Sequence, residues 1–215
     1  MTRVFDCAQP DRRRRGIGAA ADAIAGGRLV VVPTDTVYGL AADAFSPEAV
    51  AGVLSAKGRD RDLPVPVLVG SWSGIDGLMT AVPDVVRELV RAFWPGGLTL
   101  VVQHAPTLAW DLGDAHGTVA VRMPLHPVAL ELLERTGPLA VSSANRTGQP
   151  PATTVVQARD QLGDDVHIYL DAGPSPGAVA STIVDVTVSP PRMLRAGAVS
   201  AEQLSDVVPD IEGIA

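Results

Sequence analysis

The stretch RLVVVPT at 28–34 limits the fold more than any other segment. An unbroken run of β-branched residues has no polar side to show to water. A strand built from it has both faces covered, as in a sheet flanked by helices. The neighbouring segments supply such helices. Ile17, Ala20, Ala21 and Ile24 recur at helical spacing ahead of Gly26-Gly27, which predicts a helix that stops at that pair. After the strand, Ser46-Pro47 reads as an N-cap with proline at the first helical position. The helix it opens carries Val50, Val53, Leu54 and Lys57 along one side.

Further along, VPVLV at 65–69 is expected as a strand, with Pro66 marking a sheet edge or a break. A helix is expected from Pro83 to Phe93, turning Val86, Leu89, Val90 and Phe93 inward, and WPGG stops it. LTLVV at 98–102 follows as a strand, and TVAVRM at 118–123 alternates as a half-buried strand does. HPVALELLERTG is a helix closed by Gly137, and PLAVSS a strand after it. Short strands at VHIYL, TIVDV and RMLR precede a small helix near 200–207. Helices alternate with strands early and strands dominate late. That order predicts one α/β domain with a twisted, mostly open mixed sheet and flanking helices.

Composition narrows the function classes. A formal net charge of −7 argues against a broad basic nucleic-acid surface but permits a small basic pocket. Four arginines in a row, Arg12 to Arg15, either open the first helix on its solvent side or touch a polyanion; they oppose that helix's dipole. Cys7 is the only cysteine, so neither a disulfide framework nor a thiolate zinc site is available. No apolar stretch is long enough to cross a bilayer and the N-terminus lacks an apolar signal core, so the expectation is a cytoplasmic protein that spans no membrane.

The familiar catalytic motifs are missing: the chain has no GxxxxGK[ST], GxGxxG, HExxH or GxSxG, and its four histidines lack ligand spacing. Polar residues gather instead at strand ends. Thr34, Asp35 and Thr36 follow the first buried strand, either as a ligand site beyond a carboxyl end or as a capped turn. Alternation in TVAVRM turns Val119, Val121 and Met123 to the core. Thr118, Ala120 and Arg122 then face away, into solvent or a pocket. Ser142, Ser143 and Asn145 end PLAVSS in a turn that suits a phosphate or an ordinary Asx turn. In KGRDRD, five of six residues from Lys57 to Asp62 are charged, at the junction of a helix and a strand. Ser181 and Arg195 stand beside the late strands. Lys57, Arg59, Arg61, Arg122 and Arg195, with hydroxyls and no evident base, suit an anionic, phosphate-bearing ligand.

PTDTVYGL, AKGR, WPGGLT, TVAVRMP, SSANRTG, STIVDV and LRAG stand in one order along the chain. In this the chain resembles the YrdC-like family of threonylcarbamoyl-AMP synthases, over residues 13–200, with 1–12 and 201–215 as terminal extensions. The resemblance implies an open α/β sheet with a large positively charged cavity. It also implies a nucleotidyltransferase that joins L-threonine, bicarbonate or CO2 and ATP into threonylcarbamoyl-AMP and releases pyrophosphate. Lys57, Arg59, Ser143 and Asn145 match the family's catalytic set. Lys57, Arg59 and Arg195, with Thr118 and the backbone at Ala144, would hold ATP, and Arg61 joins them as a candidate. Thr34, Arg122, Ser142 and Ser181 would hold threonine, Arg122 taking its carboxylate. Mg2+ would arrive with ATP, without a dedicated metal site. The product would pass to tRNA threonylcarbamoyl-transfer proteins, with tRNA or double-stranded RNA as a further partner. Asp60 and Leu63 stand where the family has Pro and Asn. The alternative is a non-catalytic RNA-binding or ribosome-associated factor of the same fold.

Overall fold

The structure, a computed structural model, describes residues 2–79 and 81–213. The outermost residues of both expected extensions, Met1 and 214–215, lie outside the described residues. The chain opens with β1 (Arg3–Asp6), α1 (Pro10–Ala25), β2 (Val30–Val32), β3 (Gly39–Asp43), α2 (Pro47–Lys57) and β4 (Val67–Leu68). It continues with α3 (Asp84–Phe93), β5 (Leu98–Gln103), β6 (Thr118–Arg122), α4 (Pro127–Thr136) and β7 (Leu139–Ser143). Last come α5 (Val155–Leu162), β8 (Ile168–Asp171), β9 (Thr182–Asp185), β10 (Arg192–Arg195) and α6 (Ala201–Val207).

All ten strands form one open mixed sheet in the order β1-β8-β2-β3-β7-β4-β6-β5-β9-β10. Four of its junctions are parallel and five antiparallel, as expected of a mixed α/β sheet. Pro66 acts as a break and not as an edge marker. β4 lies inside the sheet between β7 and β6, but it is only two residues long and begins just after Pro66. The proline has no N–H to give a ladder, and its carbonyl accepts from Val141 N at 2.7 Å. β1, in the stretch expected as a terminal extension, pairs with β8 at the sheet edge.

Side-chain caps start α2, where Ser46 was expected to act, and α6. Ser46 Oγ accepts from Ala49 N at 3.2 Å to start α2, and Ser200 and Gln203 make a reciprocal capping box at α6. Arg12, Arg14 and Arg15 lie on the solvent side of α1, while Arg13 reaches across to Glu131 of α4 at 2.6 Å.

The two faces of the sheet are covered unequally. On one, α2, α3, α5 and α6 pack over nine strands, burying Val31, Leu40, Val67, Leu100, Val121, Ala140, Tyr169, Val184 and Met193 in a single core. On the other, α1 and α4 cover only the half made by β1, β8, β2, β3, β7 and β4, where Val30, Ala41, Leu68, Val141 and Ile168 are buried and Phe5 packs alongside. Leu68 and Val141 sit on the border of that second core, and beyond them the face opens into a cavity.

Candidate active site

The cavity encloses about 410 Å³, within the ordinary range for small-molecule sites. Its floor is the uncovered half-face. Leu98, Leu100 and Val102 of β5 point into the core, so Thr99 and Val101 point into the cavity. By the same alternation β6 presents Thr118, Ala120 and Arg122, resolving the choice between solvent and pocket in favour of the pocket. A register shift in β10 between Met193 and Arg195 inserts an extra residue, and both Leu194 and Arg195 then line the cavity.

Three guanidinium groups converge there. Arg122 is 6% exposed and donates from Nε to Gly96 O at 2.8 Å, from Nη1 to Thr36 Oγ1 at 2.8 Å and from Nη2 to Asp35 Oδ1 at 2.6 Å. Those bonds use three of its five N–H groups. Asp35 also accepts from Leu125 N at 2.9 Å, which ties the head of α4 to the arginine. Arg195 donates to Ser181 O from Nε at 3.0 Å and from Nη2 at 2.8 Å, and to Ser181 Oγ at 3.0 Å; Ser181 in turn meets Thr99 Oγ1 at 2.8 Å. Arg59 makes one weaker bond, from Nη1 to Ser142 Oγ at 3.3 Å, and its buried Nε has no partner.

Burial is the main cause lowering the pKa of all three arginines. They also act on one another: Arg59 presses on Arg195, and Arg195 on Arg122. Asp35 offsets part of this at Arg122, as Asp62 does at Arg59. Among the described residues no carboxylate lines the cavity. A desolvated donor without an acceptor is costly, and an anionic ligand removes that cost.

The KGR segment divides its cations. α2 ends at Lys57, and Gly58 takes a left-handed conformation (φ 59°) that caps the helix through N–H bonds to Leu54 O and Ser55 O. Lys57 is 3% exposed and does not line the cavity. Its Nζ donates to Ser143 O at 2.5 Å, Asn145 O at 2.8 Å and Asn145 Oδ1 at 3.3 Å, and lies 3.5 Å from Ser143 Oγ. Burial, then Arg59, lowers its pKa to about 8. Beyond the reversal, Arg59 enters the cavity.

Of the expected ligand residues, Thr34, Arg59, Thr118, Arg122, Ser142, Ser143, Ser181 and Arg195 line the cavity. Asn145 stands behind the wall, its Nδ2 donating to Arg146 O at 2.9 Å and Gln149 O at 2.8 Å. Two expected residues stand apart from the cavity lining. The backbone at Ala144, expected to help hold ATP, is buried, and its N–H donates to Tyr38 O at 2.8 Å as the β3–β7 ladder continues. Arg61, expected beside it, is half exposed and outside the cavity, paired with Asp111 at 2.6 Å and Asp114 at 3.5 Å. Thr99 was missed, while Asp35 and Thr36, left between a ligand site and a capped turn, hold Arg122 in place. Alternation in LTLVV was the available signal for Thr99, whereas the Asp35–Arg122 pair joins positions too distant for any local pattern.

A family model described as Telomere recombination, the Sua5/YciO/YrdC model, matches residues 22–197. A protein of Mycobacterium tuberculosis (strain ATCC 25618 / H37Rv), provisionally named threonylcarbamoyl-AMP synthase, is 63% identical over 97% of this chain and 96% of its own length. The crystal structure of Pyrococcus abyssi Sua5 complexed with L-threonine superposes with a TM-score of 0.92 at 33% identity; the match covers 99% of this chain and 63% of that one. Escherichia coli YciO, at 21% identity over 95% of this chain and 100% of its own, shares the fold with a TM-score of 0.83.

Proposed function

The chain belongs to the Sua5/YciO/YrdC family, and from that premise we propose that it is a threonylcarbamoyl-AMP synthase and, by reaction class, a nucleotidyltransferase. It joins L-threonine, bicarbonate or CO2 and ATP, and releases pyrophosphate. The observation that carries this reading is the convergence of Arg59, Arg122 and Arg195 on a cavity lined by hydroxyls and no carboxylate among the described residues. The alternative, a non-catalytic RNA-binding or ribosome-associated factor, does not call for three guanidinium groups turned into a half-enclosed space.

Arg59 and Arg195 hold the phosphates of ATP, the unpartnered Nε of Arg59 finding its acceptor there. Thr118 and Ser143 add hydroxyls at the same wall. Lys57 and Asn145 act from behind it, fixing the turn that presents Ser142 and Ser143. Arg122 takes the carboxylate of threonine with its two free N–H groups, and Thr34, Ser142 and Ser181 surround the rest. Magnesium travels with ATP as part of the substrate, carried by phosphate oxygens and water, which suits a lining of hydroxyls without carboxylates.

In the reaction, the threonine nitrogen adds to the carbon of CO2 and loses a proton, giving a carbamate. A carbamate oxygen then attacks the α-phosphorus, and the bond to the pyrophosphate oxygen breaks with its electron pair. The protein contributes proximity for the short-lived carbamate and positive charge for the departing pyrophosphate. We propose that the product passes to tRNA threonylcarbamoyl-transfer proteins in the cytoplasm. No helix among the described residues is long and apolar enough to cross a membrane.

The test is pyrophosphate release from ATP with and without threonine. Wild type releases it only with threonine, and Arg59→Met lowers kcat/KM by a factor on the order of 10² while the thermal midpoint holds. Turnover by Arg59→Met near the wild-type level would refute the assignment.

A further inference from the structure

Two loops close one side of the cavity, residues 59–66 and 111–115. Leu63 and Pro64 of the first and Leu112 and Ala115 of the second line it. The loops are bound to each other along their length. Asp114 N donates to Arg61 O at 2.8 Å, and Val65 N donates to Leu112 O at 2.8 Å. The Arg61 side chain lies over this seam, with Nη2 at 2.6 Å from Asp111 Oδ1 and Nε at 3.5 Å from Asp114 Oδ1. The same Asp111 oxygen accepts from Gly113 N at 3.2 Å. Gly113 has φ 106°, and a Cβ there would lie 2.8 Å from Arg61 O and 3.2 Å from Pro64 Cα, so the approach excludes any other residue.

We propose that Arg61 is a positioning residue that clasps these two loops together through Asp111 and Asp114, closing the cavity wall beside Arg59, and that it is not a ligand of the nucleotide. The proposal rests on the synthase reading for what the wall encloses. A guanidinium already facing two carboxylates has little net charge to offer a phosphate, and turning toward ATP would abandon both partners. A closed wall also keeps water from the α-phosphorus, where its attack would give AMP and pyrophosphate, and from the adenylate once it has formed.

Arg61→Ala, Asp111→Asn and the double variant test this; asparagine keeps an acceptor for the Gly113 amide while removing the charge. Hydrogen exchange of peptides covering 59–66 and 111–115, measured on the substrate-free protein, reads the clasp directly. Arg61→Ala should speed exchange by roughly two- to fivefold, the range open to an exposed ion pair, Asp111→Asn by less because Asp114 still holds Arg61, and the double variant should match Arg61→Ala. Unchanged exchange would overturn the clasp whether or not the protein turns over. In turnover, both single variants should release more pyrophosphate per adenylate retained, Arg61→Ala the more, with the KM for ATP unchanged. A raised KM for ATP in Arg61→Ala but not in Asp111→Asn would make Arg61 a phosphate ligand and overturn the proposal. A wild type that makes no adenylate would defeat the synthase reading and still leave the exchange result to decide the clasp.

Discussion

Lys57 and Arg59 are separated by one glycine and stand on opposite sides of the same wall. The buried ammonium of Lys57 meets only carbonyl and hydroxyl oxygens, so no carboxylate supports its charge. Its pKa in the folded chain, about 8, lies below the ordinary 10.5. Between those values the unfolded chain binds more protons than the folded one, and stability therefore rises with pH. Burial holds the pKa of Cys7 up to about 11 and those of Tyr38 and Tyr169 up to about 12, which acts in the opposite sense over an overlapping window. The comparison is therefore between wild type and Lys57→Met, in which those terms cancel. Denaturant midpoints should show the wild type gaining on the variant from pH about 8 to about 10.5; a gain confined to lower pH would contradict the burial of a cation there. At this scale the sequence was informative about which residues matter. It was silent on Lys57's orientation, because a lysine on a helix's core side looks the same whether its head reaches a ligand or a carbonyl.

α2 is the helix whose cap touches the chemistry. At Gly58 a Cβ would meet nothing within 4 Å, so an added methyl costs only backbone strain. Gly58→Ala should therefore destabilise by about 1–2 kcal/mol, lowering the thermal midpoint by about 2–4 °C for each kcal/mol. An unchanged midpoint would mean that the left-handed cap is not held in solution. α2, with its Ser-Pro cap, and α3 and α4, with their apolar stripes, were legible in advance. Three elements were not. β1 is a four-residue edge strand, RVFD, with no room for a pattern. β3 reads GLAAD, a composition with weak strand preference, because its small side chains pack tightly: a Cβ on Gly39 would lie 2.5 Å from Val141 Cγ1. α5 follows two prolines, yet Thr154 caps it through Gln157 N at 3.3 Å, and the T-x-x-Q spacing was a signal available to find it.

For the whole molecule, unequal coverage of one sheet explains the site. Four helices bury one face along nine strands, while two helices bury half of the other, and the bare half becomes the floor of the cavity. The mixed, open sheet was legible from the order of helical and strand patterns. The bare half was not, since alternation tells which way Arg122 points but not whether a helix lies over it. Function follows from that bareness: hydroxyls and guanidinium groups reach one enclosed space from β5, β6, β7 and β10, strands far apart in the chain. The reaction proposed for this space joins carbamoylated threonine to the adenylate of ATP. Incubating the protein with ATP, L-threonine and labelled bicarbonate tests it most directly. The expected product is labelled threonylcarbamoyl-AMP, formed together with pyrophosphate and only when threonine is present. Pyrophosphate release without threonine, or no label in an adenylate, would contradict it.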